Sequence, residues 1–530
     1  MDINFAKMTL ELLKYNKVIF YGAGDIAQML YGELLKRRVN IDACVVTDIE
    51  KNGKSFLGKV PVYQVDECVS MLREKGTIIL IAVTNKFVQQ IEKILYDLNI
   101  KNYLIYSAFF KKNKKPLLQE YKDKTNETCI MEVLEWYMED SNEDYKNFVE
   151  IKKNLEKKIS NKGKNKNKIV IAVGDLSPRA IKIIKALHNA GKQVKVIIYP
   201  YALIREICKK ELNELKVPYY ESACIEEFIY DIIQEQPHII HVFSCSINTV
   251  IPFILIKMKA IMPNIVYDEY DIINEFYHNK RIDRLEEERY CLEHADGVCN
   301  RGYELEYLSQ QCGYHFQGKR IQFFDYCRDE DLIEKSNDLS EPLSICYAGG
   351  VITEKEYPDS SMACWIELAQ KCAEGKCHLH VYPTEWKEEQ YSEYIELEKK
   401  NKYFHFHHPV PSEILKQELS QYDYGIHPIK SRFLQQKING FYKDIKMIYG
   451  VTNHFFDNLD AGIPTIAAAP ILFAKFFEEK EVLIPWTIEE YDFDELRNRK
   501  KEYTQRVMKV QMELQINRHI YKLEEFYDSL

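Results

Sequence analysis

Three times along the chain a run of apolar residues meets a glycine-bearing turn and gives way to a helical pattern: KVIFYGAG from Lys17, KIVIAVGD from Lys168 and LSICYAGG beginning at Leu343. Unbroken apolar runs of this length, followed by helices with one apolar face, belong to parallel strands buried on both sides. Each start opens further alternation. IDACVVTD, TIILIAV and NYLIYS follow the first, QVKVIIYPY, HIIHVFS and NIVYDEYD the second, and KCHLHVYP, YFHFHHPV and DYGIHPI the third. The expected fold class is therefore α/β, with three Rossmann-like units in succession.

At 530 residues the chain is longer than one core serves,. The expected divisions are a Rossmann-like, nucleotide-binding-type unit over 1–110, a connector over 111–167, and two further α/β units over 168–335 and 336–530. The connector has a helical middle, MEVLEWYM, and a tail from Ile151 to Lys168 with eight lysines against one glutamate, read as a basic linker,. The last helices, from about Ile488 onward, are expected to pack back across a domain boundary.

A net charge of -9 argues against general nucleic-acid binding, which needs a basic surface,. Fourteen cysteines without framework spacing, and an opening MDINFAKM that lacks a basic segment and apolar core, point to a reduced cytoplasmic protein without a signal peptide,. The most apolar window, Ile247 to Ile256, falls short of the roughly 20 residues that span a bilayer, so any membrane contact is expected to be peripheral,. Nothing in the pattern fixes an oligomeric state.

The first turn, GAGDIA, places Gly22 and Gly24 between a strand and a helix, where glycines let the backbone approach a pyrophosphate,. Asp48, at the end of the next strand, is placed to bond ribose hydroxyls. Two readings stand: a nucleotide or NAD(P) site, or a tight turn kept for packing alone. The segment Asn453 to Pro464, NHFFDNLDAGIP, reads as a helix start, an apolar face and a turn into a strand. Asn453 is the expected cap, while Phe455, Phe456 and Leu459 point inward. Asp457 lies one turn in, where a carboxylate can accept bonds from two ribose hydroxyls while the helix start faces a diphosphate. Its alternative is a carboxylate that serves only the helix dipole.

In GDLSPR, Ser177 and Arg179 are candidates to meet an anion, or else a plain helix cap and a surface charge,. His241, within HIIHVFS, is either a catalytic candidate or a core histidine. Asp268, Glu269 and Asp271 close NIVYDEYD at a strand's C-terminal end; such carboxylates orient or deprotonate an acceptor hydroxyl, or cap the next helix,. His378 and His380 share a strand face, and His405, His407 and His408 crowd the next strand, but no second pair completes a zinc pattern and no metal is expected,. His408 is placed to line a cleft. There is no G-x-S-x-G elbow, H-E-x-x-H or G-x4-G-K-[ST] motif, which sets aside the corresponding hydrolase and phosphate-loop readings,.

Residues 453–464 resemble the N-K-x-F-E-Y-x-A-x-G-x-P signature of retaining, family 4-like GT-B glycosyltransferases, with Asp457 where the family has its ribose-binding glutamate and His454 where it has lysine. YAGGVITEK is similar to the family's G-R-x4-K segment. Gly349 matches the glycine, Gly350 stands in place of the arginine, and Lys355 matches the lysine that balances the donor diphosphate. With no arginine, Lys430 or Arg432 is a further candidate cation. NIVYDEYDI resembles I-V-Y-D-x-H-D, with Asp268 and Asp271 matching and Tyr270 at the usual histidine, and His241 falls at a position often histidine in the family. The N-terminal unit resembles small domains of bacterial surface-polysaccharide enzymes through its GAG turn, Asp48, Gly53 and Gly58-Lys59-Val60-Pro61-Val62.

The resemblance implies a two-lobed GT-B enzyme over the last two thirds of the chain, with an acceptor lobe before a donor lobe. It would move a sugar from a nucleotide diphosphate carrier to a glycan or lipid-linked glycan, with no cofactor required for transfer. Two rivals stay open: an N-terminal NAD(P)-dependent oxidoreductase or epimerase fused to a transferase, and a non-catalytic sugar-nucleotide-binding scaffold.

Overall fold

The computed structural model describes residues 8–109 and 167–530, apart from 10, 38, 53–54, 205, 224, 245–248, 259–261, 270–271, 273–281, 330–341, 356–359, 361–362, 387, 411, 431–436, 439–440, 443–448, 452, 468–476 and 478. The expected connector over 111–167 thus lies almost wholly outside the described residues, as do Gly53, Tyr270, Asp271 and Arg432.

The first unit contains β1 (Lys17–Tyr21), α1 (Asp25–Lys36), β2 (Ala43–Val46), β3 (Phe56–Leu57), β4 (Val60–Gln64), β5 (Thr77–Ile81), α2 (Asn85–Asp97) and β6 (Tyr103–Ile105). Its sheet order is β3-β4-β2-β1-β5-β6, parallel except for the β3–β4 pair. Alternation along β1 sends Val18 and Phe20 into one apolar cluster and Ile19 and Tyr21 into another. Burial of both faces explains why the strands read as continuous apolar runs.

The second unit contains β7 (Lys168–Leu176), α3 (Pro178–Asn189), β8 (Gln193–Ile204), α4 (Glu206–Leu215), β9 (Tyr219–Glu221), α5 (Ile225–Glu235), β10 (Ile239–Ser244), α6 (Val250–Lys257), β11 (Asn264–Glu269), α7 (Ile282–His294), β12 (Gly297–Asn300), α8 (Glu304–Gln311) and β13 (Lys319–Gln322). Its seven strands run parallel in the order β13-β12-β11-β10-β7-β8-β9. The order reverses between β7 and β10.

The third unit contains β14 (Ser344–Gly349), α9 (Trp365–Glu374), β15 (His378–Pro383), α10 (Ser392–Lys400), β16 (Phe404–Phe406), α11 (Ser412–Leu419), β17 (Tyr424–His427), the hairpin strands β18 (Lys437–Ile438) and β19 (Phe441–Tyr442), α12 (Asn453–Asp460), β20 (Thr465–Ala467), β21 (Leu483–Ile484), α13 (Phe493–Glu513) and α14 (Ile520–Ser529). Its main sheet is parallel in the order β16-β15-β14-β17-β20-β21, reversing between β14 and β17. In open α/β sheets such reversal points, at the strands' carboxyl ends, form the crevices where ligands sit.

The chain then returns to the second unit. Cys327 and Gln515 form a β-bridge, with Cys327 N–H donating to the Leu514 carbonyl at 2.9 Å. Helix α14 packs on the second sheet: a Cβ at Gly297 would lie 2.8 Å from Phe526, and Lys319 Nζ donates to the Ser529 carbonyl at 2.6 Å. By packing, α14 belongs with β7–β13 although it ends the chain. No helix among the described residues is long and apolar enough to cross a membrane.

Candidate functional site

At the reversal point of the third sheet, the end of β14 meets the start of α12. A Cβ at Gly349 would lie 2.3 Å from His454 Cε1 and 2.7 Å from the Tyr347 hydroxyl, so any larger residue there must push these side chains aside. Tyr347 donates to the Gly350 carbonyl at 2.9 Å, and its ring lies 5.0 Å from that of His454. Gly350 itself faces open space. On the other side of α12, a Cβ at Gly425 of β17 would lie 2.0 Å from Asn458, whose amide donates to Thr465 Oγ1 at 3.0 Å. The helix is seated against two strands, and Gly462, at φ +73°, makes the turn into β20,. The sequence-predicted Gly349 and the 453–460 helix are thus brought together, with the helix start at the carboxyl end of β14.

Asp457 is half-buried and faces groups from the second unit. Burial pushes its carboxyl up to about 6 against the pull of Lys182, with Asp460 adding to the rise. Lys182, on α3, donates to the Tyr326 carbonyl at 2.8 Å and lies 5.7 Å from the ring of Phe456. Arg328 N–H donates to Asp460 Oδ1 at 2.9 Å, and Gln511 bonds the Asp460 carbonyl. These contacts join the two units along α12. Lys355 is exposed, with its charge near the Glu393 carboxyl at the start of α10. Lys430 is buried against Glu367 at 2.8 Å, a partner that takes up its charge. His408 packs against Trp386 with the rings tilted by 33° and their centroids 3.9 Å apart.

At the reversal point of the second sheet lies a fully buried polar network. Arg179 donates from Nε to Asp268 Oδ1 at 2.9 Å and from Nη2 to Asp268 Oδ2 at 3.0 Å, and from Nη1 to Asp325 Oδ1 at 2.8 Å. His241 is held on both sides: Nδ1 by the Tyr527 hydroxyl of α14 and Nε2 by Asp268 Oδ2 at 3.3 Å. Burial would raise the Asp268 carboxyl, but Arg179 and His241 outweigh it and bring it to about 2. Burial also pushes the His241 imidazole down, so it stays neutral near pH 7.

Placement therefore differs from the expectation of an exposed anion loop. Arg179 and Asp268 face each other rather than a ligand, because a guanidinium fork and a carboxylate satisfy one another once both leave water. His241 has neither ring nitrogen left for a substrate. Ser177 accepts from Ala180 N–H at 3.4 Å and caps α3, with Pro178 in the first helical turn,. Asp271 lies outside the described residues, and the Asn453 side chain is likewise undescribed.

In the first unit, Gly22 has φ +117° and a Cβ there would lie 2.6 Å from Val83, so the turn is required by packing whatever it binds,. Asp48 is engaged locally, accepting from Lys51 N–H at 3.1 Å and pairing with Lys51 Nζ at 3.0 Å. Lys182, Asp325, Arg328 and Tyr527 were not singled out by sequence. Lys182 sits three residues before Lys185 in an apolar helix, a spacing that marks a solvated face, while Tyr527 reaches the network only through the return of α14.

No protein-family model matches the chain, and no curated protein matches it. Among solved structures it is similar to Anabaena HepE in complex with UDP, at 12% identity over 68% of this chain and 100% of that one, with a TM-score of 0.48. It is similar also to Acinetobacter baumannii MurG, at 12% identity over 67% and 98%, TM-score 0.35, and to Staphylococcus aureus MnaA with UDP, at 12% identity over 63% and 87%, TM-score 0.40. With TM-scores below one half, these likenesses carry no argument about activity.

Proposed function

We propose that the chain is a GT-B glycosyltransferase that uses a nucleotide-diphosphate sugar. The observation that carries this is the junction of Gly349 with His454. It sets a helix start and a glycine loop together at the carboxyl ends of β14 and β17, the place in an open α/β sheet where a helix dipole favours an anion,. In this reading the donor diphosphate lies over Gly349 and Gly350 near Asn453, and Lys355 supplies the positive charge. Asp457 accepts from the ribose hydroxyls. With those groups meeting the diphosphate, transfer needs no bound metal.

The acceptor, a glycan or a related lipid-linked glycan of a bacterial surface polymer, enters from the second unit's strand ends, beside Ser177 and Asp271. Asp268, His241 and Arg179 act there as positioning residues: they fix the ends of β7, β10 and β11 but do not touch substrate. Asp271 is then the carboxylate that orients the acceptor or stabilises the developing charge on the sugar, with retention of configuration. The test is release of nucleoside diphosphate from a panel of sugar nucleotides, with and without glycan acceptors. Turnover of at least one donor, lost in Asp271→Ala, supports the assignment; binding without turnover of any donor points to a scaffold.

A further inference from the structure

Strands β15 and β16 lie at one edge of the third sheet; His378 and His380 of β15 share a face with His405 of β16, and His407 follows directly after β16. Leu379, Val381, Phe404 and Phe406 fill the core on the opposite face. His380 pairs in register with His405. The rings form one ladder: His378 and His405 stack at 5.1 Å, His380 and His405 at 4.4 Å, His380 and His407 at 5.2 Å. Two hydrogen bonds tie it, His378 Nδ1 to His405 Nε2 at 2.8 Å and His380 Nδ1 to His407 Nε2 at 2.9 Å. One ring nitrogen from each of His378, His380 and His405 lies within 4.8 Å of the other two.

We propose that His378, His380 and His405 bind one divalent transition-metal ion of the zinc class, with solvent at the remaining position and His407 orienting His380. Zinc–nitrogen bonds of about 2.0–2.1 Å put ligand nitrogens roughly 3.4 Å apart in a tetrahedron, within reach of small ring rotations by these partly exposed side chains. The donor set is all imidazole, which suits zinc, copper or nickel and not magnesium or calcium. A hydrogen-bond partner on the ring nitrogen that does not ligate is the usual way a metal-bound imidazole is aimed, and His407 holds that place for His380.

A self-satisfied stack is the competing account. It ties His378 Nδ1 to His405 Nε2, and the ion would exchange that hydrogen bond for two metal–nitrogen bonds, the shared N–H proton moving to the outer nitrogen of its own ring. Access is available, because His378 also lines a cavity of about 1080 Å³ with Tyr403 and Arg497. Among the described residues a second, buried grouping of possible ligands, His241, Asp268 and Cys299, already holds the Arg179 guanidinium as its cation. His378 stands at the opposite end of β15 from Pro383, the residue paired with Gly349, so the ion would pin edge strand β16 and take no part in the proposed transfer.

The test is zinc retention by the full chain after dialysis against a chelator, addition of zinc chloride and gel filtration, with metal measured by atomic emission. The expected result is about one equivalent per chain, and a cobalt(II) spectrum with the intense visible bands of a four-coordinate site. His380→Gln and His405→Gln should each weaken retention at least about tenfold, while His315→Gln, on an exposed loop, leaves it unchanged,. Far-UV circular dichroism confirms that each variant is folded, and His378→Asn serves if His380→Gln is not. Retention below about a tenth of an equivalent by the parent, or folded variants that hold zinc as the parent does, would overturn the proposal.

Discussion

Arg179 grips Asp268 through two parallel N–H···O bonds of 2.9 and 3.0 Å, and both side chains are shut away from water. The pair ties the first helix of the second unit to the end of β11, and Asp325 takes the third guanidinium donor. Removing one partner strands the other charges in a low-dielectric interior. Arg179→Met is expected to cost about 3–5 kcal/mol in chemical denaturation, and Arg179→Lys should recover little because an ammonium lacks the fork.

The same pair sets an acid limit. The folded Asp268 carboxyl is depressed to about 2, so its contribution is fully present above the unfolded value near 4 and is lost as pH falls through 2,. Denaturation midpoints of the parent should fall across that window. Arg179→Met, lacking the cation that depresses the pKa, should show a shallower fall.

Asp457 has the opposite sign. Its folded pKa, raised to about 6, means that ionisation opposes folding as pH rises from about 4 to about 6, and the cost is constant above that,. Asp457→Asn is therefore expected to stabilise the chain at pH 7 by about 1–3 kcal/mol. If the carboxylate serves a ribose, the same variant loses nucleotide affinity, and parent affinity climbs between pH 5 and 7, about the pKa of the carboxylate. Stabilisation without loss of affinity would leave Asp457 as a strained core carboxylate only.

Tyr527 carries the chain's last helix onto His241. Tyr527→Phe leaves Nδ1 of a buried imidazole without its hydroxyl partner and is expected to cost about 1–3 kcal/mol, with the fold intact by circular dichroism,. A truncation ahead of Ile520 also removes Phe526 from its contact with Gly297 and should destabilise far more, exposing the second unit to proteolysis,.

Strand existence was legible because each main strand is buried on both faces, and a run such as IVIAV has no other place to go. Helix α12 was legible too: Phe455, Phe456 and Leu459 are buried, and Gly462 adopts the positive φ that its place after the helix suggested. Burial of charge was not. Arg179 and Lys182 follow a capping motif at helical spacing and look solvated, and only the return of 323–328 and α14 encloses them. The histidine strands showed their alternation in sequence, but the convergence of β15 with β16 depends on register, which no local pattern specifies.

Calorimetric titration of UDP, GDP and ADP into the parent, Gly349→Val and His315→Gln tests the donor site most directly. At least one nucleoside diphosphate should bind the parent. Gly349→Val, whose side chain must displace His454, should bind it at least about tenfold more weakly, a loss of about 1.4 kcal/mol, while His315→Gln, on an exposed loop of the second unit, should bind as the parent does,. No binding by the parent, or equal binding by a folded Gly349→Val, would contradict the placement of the donor at the junction of β14 with α12.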